Sequence, residues 1–148
     1  MSIADRTTTT TWEGPLASGT GTLRGSSSGA LDDQQITWAS RTEAPGGKSS
    51  PEELLAAAHS SCFSMALSLC LGENQTPPTK LDVEATVSLE EVEGKPTVTT
   101  SRITVTAVVE GIDEAGFTSV VDEAAALCPV SRLFAGAKIS VSATLEKV

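Results

Sequence analysis

The sequence predicts an α+β domain in which two helices pack against antiparallel sheet. Three observations predict it: β-branched alternation opens and closes the chain, a long helical repeat fills residues 51–72, and a second amphipathic repeat follows a pair of alternating runs. The order is strands, helix, strands, helix, strand. With 148 residues, a single domain over 1–148 is expected, large enough to bury a core without metals or disulfide staples.

Each element has its own signal. TTTTTWEG and SGTGTLRG read as strands on either side of the turn at Gly14-Pro15, and the threonine run at 7–11 suits an edge strand. GSSSGALDD is loop-like, QITWASR is another short extended run, and RTEAPGGKSSPEE is a loop leading into a helix. That helix has a clear start: Ser50 as N-cap, Pro51 at the first position and Glu53 to complete a capping box. Leu54, Leu55, Ala58, Cys62, Met65, Ala66 and Leu69 then recur at the spacing of one buried face, and Gly72 is the expected end. GENQTPPTK reads as a linker. LDVEATVSLEEVEG and TVTTSRITVTAVVEG alternate as a hairpin joined near Gly94-Lys95-Pro96. Residues 113–127 form the second helix, with Phe117, Val120, Val121, Ala124 and Leu127 inward. After a break at Cys128-Pro129 and the short segment VSRLFAG, KISVSATLEKV is the last strand.

Composition excludes some functions. The net charge of −9 repels phosphate backbones and anionic membrane surfaces, and no basic patch interrupts it, so no nucleic-acid or membrane partner is expected. MSIADRTTTTTW lacks the apolar core of a signal peptide, and no apolar run reaches the roughly 18 residues a bilayer span needs. A cytoplasmic protein is expected. Its three cysteines, Cys62, Cys70 and Cys128, are too few for a disulfide scaffold, so each is either a core residue or chemistry.

Cys62 sits on the apolar stripe of the first helix, where a small hydrophobe would serve equally. His59, the chain's single histidine, lies three positions earlier and either polarises that thiol or is a satisfied buried polar residue. Cys128 precedes Pro129 and so could cap a short helix, where an anion is favoured and a thiol leaves more readily. Cys70 reads as a bystander. A buried thiol is inert unless a permanent cation offsets its desolvation. Arg41, in the loop entering the helix, could supply one, and Glu52 could hold its guanidinium in a bidentate pair. Both also have plain readings, as a solvated loop charge and as a carboxylate complementing the helix dipole. Together the four residues suit thiolate attack on a peroxide, followed by condensation of the sulfenic acid with a second cysteine.

RTEAPGGKSSPEELLAAAHSSCFSMALS, followed far downstream by LCPVS, resembles the OsmC family, the osmotically inducible branch of the OsmC and organic-hydroperoxide-resistance superfamily. WEGPLASGTGTL and LDVEATVSL extend the likeness over most of the chain. The resemblance implies a thiol peroxidase for organic hydroperoxides, with Cys62 peroxidatic, Cys128 resolving, and Arg41 and Glu52 supporting the thiolate. Arg24 is the alternative arginine, by analogy with the sister branch. The resemblance also implies an intertwined homodimer, its antiparallel sheets packed around two long central helices and its active sites at the subunit interface, and reduction by a dithiol such as the dihydrolipoyl group of a lipoylated protein. It implies no metal, flavin or haem. Two rival readings come from other classes: a metal-binding protein using Cys62, Cys128, His59 and Glu52, and a non-catalytic structural dimer.

Overall fold

Threonine-rich alternation builds the first sheet. Strands β1 (Thr9–Glu13), β2 (Thr20–Arg24) and β3 (Gln35–Ile36) lie in the order β1-β2-β3, each pair antiparallel, with the threonine-run strand at an edge. Gly21 is required here. A Cβ at that position would come within 2.7 Å of the Ile36 side chain and 3.0 Å of Trp12. The computed structural model describes residues 1–136 and 138–147, and the chain forms two compact units, Met1–Leu54 and Leu55–Val148.

QITWASR departs from expectation. It is extended only through Ile36 and then turns into helix α1 (Trp38–Thr42), so Arg41 lies on a helix and not in a loop. The cause is a capping box the sequence reading missed. The Ser40 N–H donates to the Thr37 hydroxyl at 3.0 Å, and the Thr37 N–H donates to Ser40 Oγ at 2.9 Å. Ser40 is buried, and its hydroxyl is also within 2.8 Å of the Ser49 carbonyl.

The long helix α2 (Pro51–Glu73) begins where the sequence places it, with Glu53 N–H donating to Ser50 Oγ at 3.2 Å. It runs one residue past Gly72. Its buried face is also not the one expected: His59, Phe63, Ala66, Leu67, Cys70 and Leu71 are buried, whereas Met65 is 74 % and Leu69 52 % exposed. Alanine, leucine and methionine surround this helix on more than one side, so apolar spacing alone cannot select a face. By length and composition α2 could cross a membrane, with an 18-residue window of mean hydropathy 1.6, contrary to the sequence expectation. Here one side of it is core.

In the second unit β4 (Pro78–Val92) starts within the expected linker and pairs antiparallel with β5 (Lys95–Val109). Glu93 and Gly94 make the turn at φ of 51° and 74°, the two positive values a type I′ hairpin needs. Helix α3 (Glu114–Leu127) follows, capped by Asp113 accepting from the Gly116 N–H at 2.7 Å, then α4 (Pro129–Leu133) and β6 (Lys138–Glu146). The sheet order is β4-β5-β6, and β6 runs parallel to β5, not antiparallel. Helices bridge the two strands and return the chain to its starting end, which lets the second strand point the same way. The α+β class stands.

Strand β5 alternates cleanly. Ser101, Ile103, Val105, Ala107 and Val109 are buried, and they meet Phe63, Leu67 and Leu71 of α2 and Phe117, Val120, Val121 and Ala124 of α3. Each such aliphatic or aromatic side chain contributes about 1.5–3 kcal/mol by leaving water. Leu127, expected inward, is 47 % exposed. It closes the last turn of α3, beyond the stretch that lies on the sheet.

Candidate active site

Cys62 is half-buried on the margin of the α2 core face, while Cys128 is fully buried at the junction of α3 and α4. Cys128 caps α4 with Pro129 at the first position, as its sequence suggests, although its side chain makes no capping bond. Cys62 packs against the core cluster that contains Cys128, the Cys128 thiol is a hydrogen-bonding neighbour of the Cys62 thiol, and both are free. Burial pushes the Cys62 pKa up, the backbone N–H of Val130 draws it back, and the neighbouring Cys128 thiol raises it again.

Beside Cys62 opens an apolar cleft of about 450 Å³ lined by Met65, Ala66, Leu69, Leu127 and Pro129. The same residues that disappoint as core build this surface. The cleft offers hydrocarbon contact next to a sulfur.

His59 makes no use of Cys62. It is fully buried, with Nδ1 2.5 Å from Ser101 Oγ on β5, Nε2 2.8 Å from Ser131 Oγ on α4, and its ring edge-on to Phe134 at 5.2 Å. Burial lowers its pKa, so the ring is neutral, one nitrogen donating and the other accepting. Sequence reading missed both serines. A signal existed: Ser101 occupies an inward position of an alternating strand, where a polar side chain needs a buried partner.

In the first unit Arg41 and Glu52 form a two-pronged ion pair. Nε reaches both carboxylate oxygens at 3.1 Å, and Nη2 reaches Oε1 at 2.7 Å. The side chains are 29 % and 11 % exposed, so the fork is held rigidly. Arg24 instead makes a solvent-exposed pair with Asp33 at 3.3 Å. Cys70 is buried in the core, its pKa raised by burial and by Glu123 and Glu73. Among the described residues no three His, Cys, Asp or Glu side chains gather as metal ligands, and the nitrogens of His59 are occupied by hydroxyls.

Comparison with known proteins gives this arrangement its context. Residues 44–143 match the family model of the OsmC-like proteins, and the chain belongs to the OsmC family. Peroxiredoxin OsmC of Escherichia coli K12 is 42 % identical over 122 residues, spanning 82 % of this chain and 84 % of that protein. Its counterpart from Shigella flexneri gives the same figures. The organic hydroperoxide resistance protein OhrB of Bacillus subtilis superposes with a TM-score of 0.71 at 25 % identity, covering 98 % of this chain and all of that one. An OsmC-like protein from Mycoplasma pneumoniae shares the fold at 17 % identity, with a TM-score of 0.73 over 99 % of this chain and all of that one.

Proposed function

We propose that this chain is a soluble, cytoplasmic two-cysteine peroxidase that reduces organic hydroperoxides to alcohols in stress defence. The observation that carries the reading is a half-exposed Cys62 at an apolar cleft with the Cys128 thiol against it. Membership of a family whose relatives include peroxiredoxins supports the coarse activity. The cleft supports the preference for organic substrates.

In the proposed cycle the Cys62 thiolate attacks the outer oxygen of the hydroperoxide. The O–O bond breaks, the alkoxide takes a proton and leaves as alcohol, and the sulfur is oxidised to sulfenic acid. The Cys128 sulfur then attacks Cys62, the S–O bond breaks, and water leaves as the disulfide forms. A dithiol, such as the dihydrolipoyl group of a lipoylated protein, returns two electrons and two protons.

Burial disfavours the first ionisation, so a fixed cation is needed. We assign that role to Arg41, whose fork Glu52 pre-orients. Arg24, tied to Asp33 in solvent, is the poorer choice. Leu133, apolar, exposed and outside the cleft, offers surface that a second copy could cover in a homodimer formed by one domain per chain.

The test is a stopped-flow titration of reduced protein with an alkyl hydroperoxide and with hydrogen peroxide, counting free thiols before and after. Two thiols are lost per chain, much faster with the alkyl substrate. Equal, slow rates with both oxidants refute the assignment.

A further inference from the structure

His59 demands an explanation that packing does not supply. An apolar side chain would fill its fully buried site without needing partners, yet both ring nitrogens are matched by hydroxyls from two different elements. Those elements are informative. Ser131 lies on α4 one turn after Cys128, and His59 lies on α2 one turn before Cys62. The path from Cys62 down α2 to His59, across to Ser131, and back up α4 to Cys128 is therefore two helical turns and one hydrogen bond, and the neighbouring thiols close it into a ring. Ser101 fixes the rotation of the imidazole from the sheet side, and Phe134 packs edge-on against it.

We propose that His59 is a positioning residue for disulfide closure: its bridge from Ser101 to Ser131 holds α4 so that the Cys128 sulfur stays against Cys62. The inference rests on the peroxidatic and resolving roles assigned above. The two sulfurs must come to about 2.05 Å, and a held neighbour reaches that distance without a search. Closure consumes Cys62 sulfenic acid and the Cys128 thiol and releases water. The competing step is attack of the sulfenic acid on a second hydroperoxide, giving sulfinic acid and alcohol. A loosened α4 lengthens the life of the sulfenic acid and diverts sulfur to that dead end.

The test compares Ser131→Ala, His59→Leu and His59→Gln with the wild type, all checked for fold by circular dichroism. Reduced protein receives one equivalent of tert-butyl hydroperoxide in the presence of dimedone, and mass spectrometry gives the ratio of disulfide to trapped sulfenic acid. Excess peroxide then gives the sulfinic acid yield. Ser131→Ala and His59→Leu lower the disulfide ratio about tenfold and raise the sulfinic yield. His59→Gln, which can both donate and accept, recovers part of the loss. Should His59→Leu not fold, Ser131→Ala decides alone. A wild-type ratio in Ser131→Ala overturns the inference while leaving the peroxidase reading intact. A wild type that forms no disulfide at all overturns both.

Discussion

The cleft beside Cys62 makes a quantitative prediction about substrate length. Met65, Leu69 and Leu127 present alkyl surface next to the sulfur in a space of about 450 Å³, and they are only partly buried. Full burial of a methylene is worth about 0.8 kcal/mol, or roughly fourfold in a rate constant. A cleft open on one side captures about half of that, or roughly twofold per carbon. Across primary hydroperoxides from ethyl to hexyl, kcat/KM should therefore rise by about 16-fold, and by at most about 250-fold if the chain is wholly enclosed. The assay is steady-state turnover with a saturating dithiol, plotting log kcat/KM against carbon number. Leu69→Gln places an amide in the wall and should flatten the slope, with light scattering confirming an unchanged mass. A flat line in the wild type, or an unchanged slope in Leu69→Gln, would falsify the claim that this surface binds substrate.

Four further outcomes follow from the geometry. Burial raises the Cys62 pKa above the ordinary 9.0, and a thiol under that influence alone is at most about one part in a hundred ionised at pH 7, which is the deficit the proposed Arg41 role has to offset. Arg41→Met should accordingly slow oxidation about 100-fold at neutral pH and move the ascending limb of the pH–rate profile to alkaline values. The Arg41–Glu52 pair, partly exposed, should show a coupling of about 1–3 kcal/mol in a double-mutant cycle of Arg41→Gln and Glu52→Gln, read by urea denaturation. Leu67→Ala opens a cavity in the packed core of α2 and should cost about 2–5 kcal/mol in the same assay. Because the folded pKa of His59 is lowered, the unfolded chain binds the extra proton first. Its stabilising share is complete above about pH 6.5 and is lost as pH falls below that value. The urea midpoint should drop between pH 7.5 and 5.5 by more in the wild type than in His59→Gln.

Local signals in the sequence were legible wherever one residue type has one use. Ser50-Pro51 starts α2, Gly94 turns the hairpin, and Cys128-Pro129 ends one helix and begins another. Signals failed where the physics is not local. The inner face of α2 depends on which apolar stripe the sheet and α3 cover, and the sequence carries more than one stripe. The direction of β6 depends on how far α3 and α4 carry the chain, which alternation does not encode. Helix α1 was hidden because Thr37 looks like a strand residue until Ser40 is seen to answer it. At the candidate site the cysteines, Arg41 and Glu52 stood out by residue chemistry. Ser101 and Ser131 did not, because they matter only through a histidine distant in the chain.

The two sulfurs sit on segments that the chain separates by most of the second unit: the hairpin and the whole of α3 lie between them. A bond between them would close a very large ring, and cross-links of that span oppose unfolding by roughly 4 kcal/mol on chain-entropy grounds. An oxidised form carrying that bond would then resist unfolding better than the reduced one. Spent protein would accumulate intact during a burst of oxidants, ready for service when reducing equivalents return.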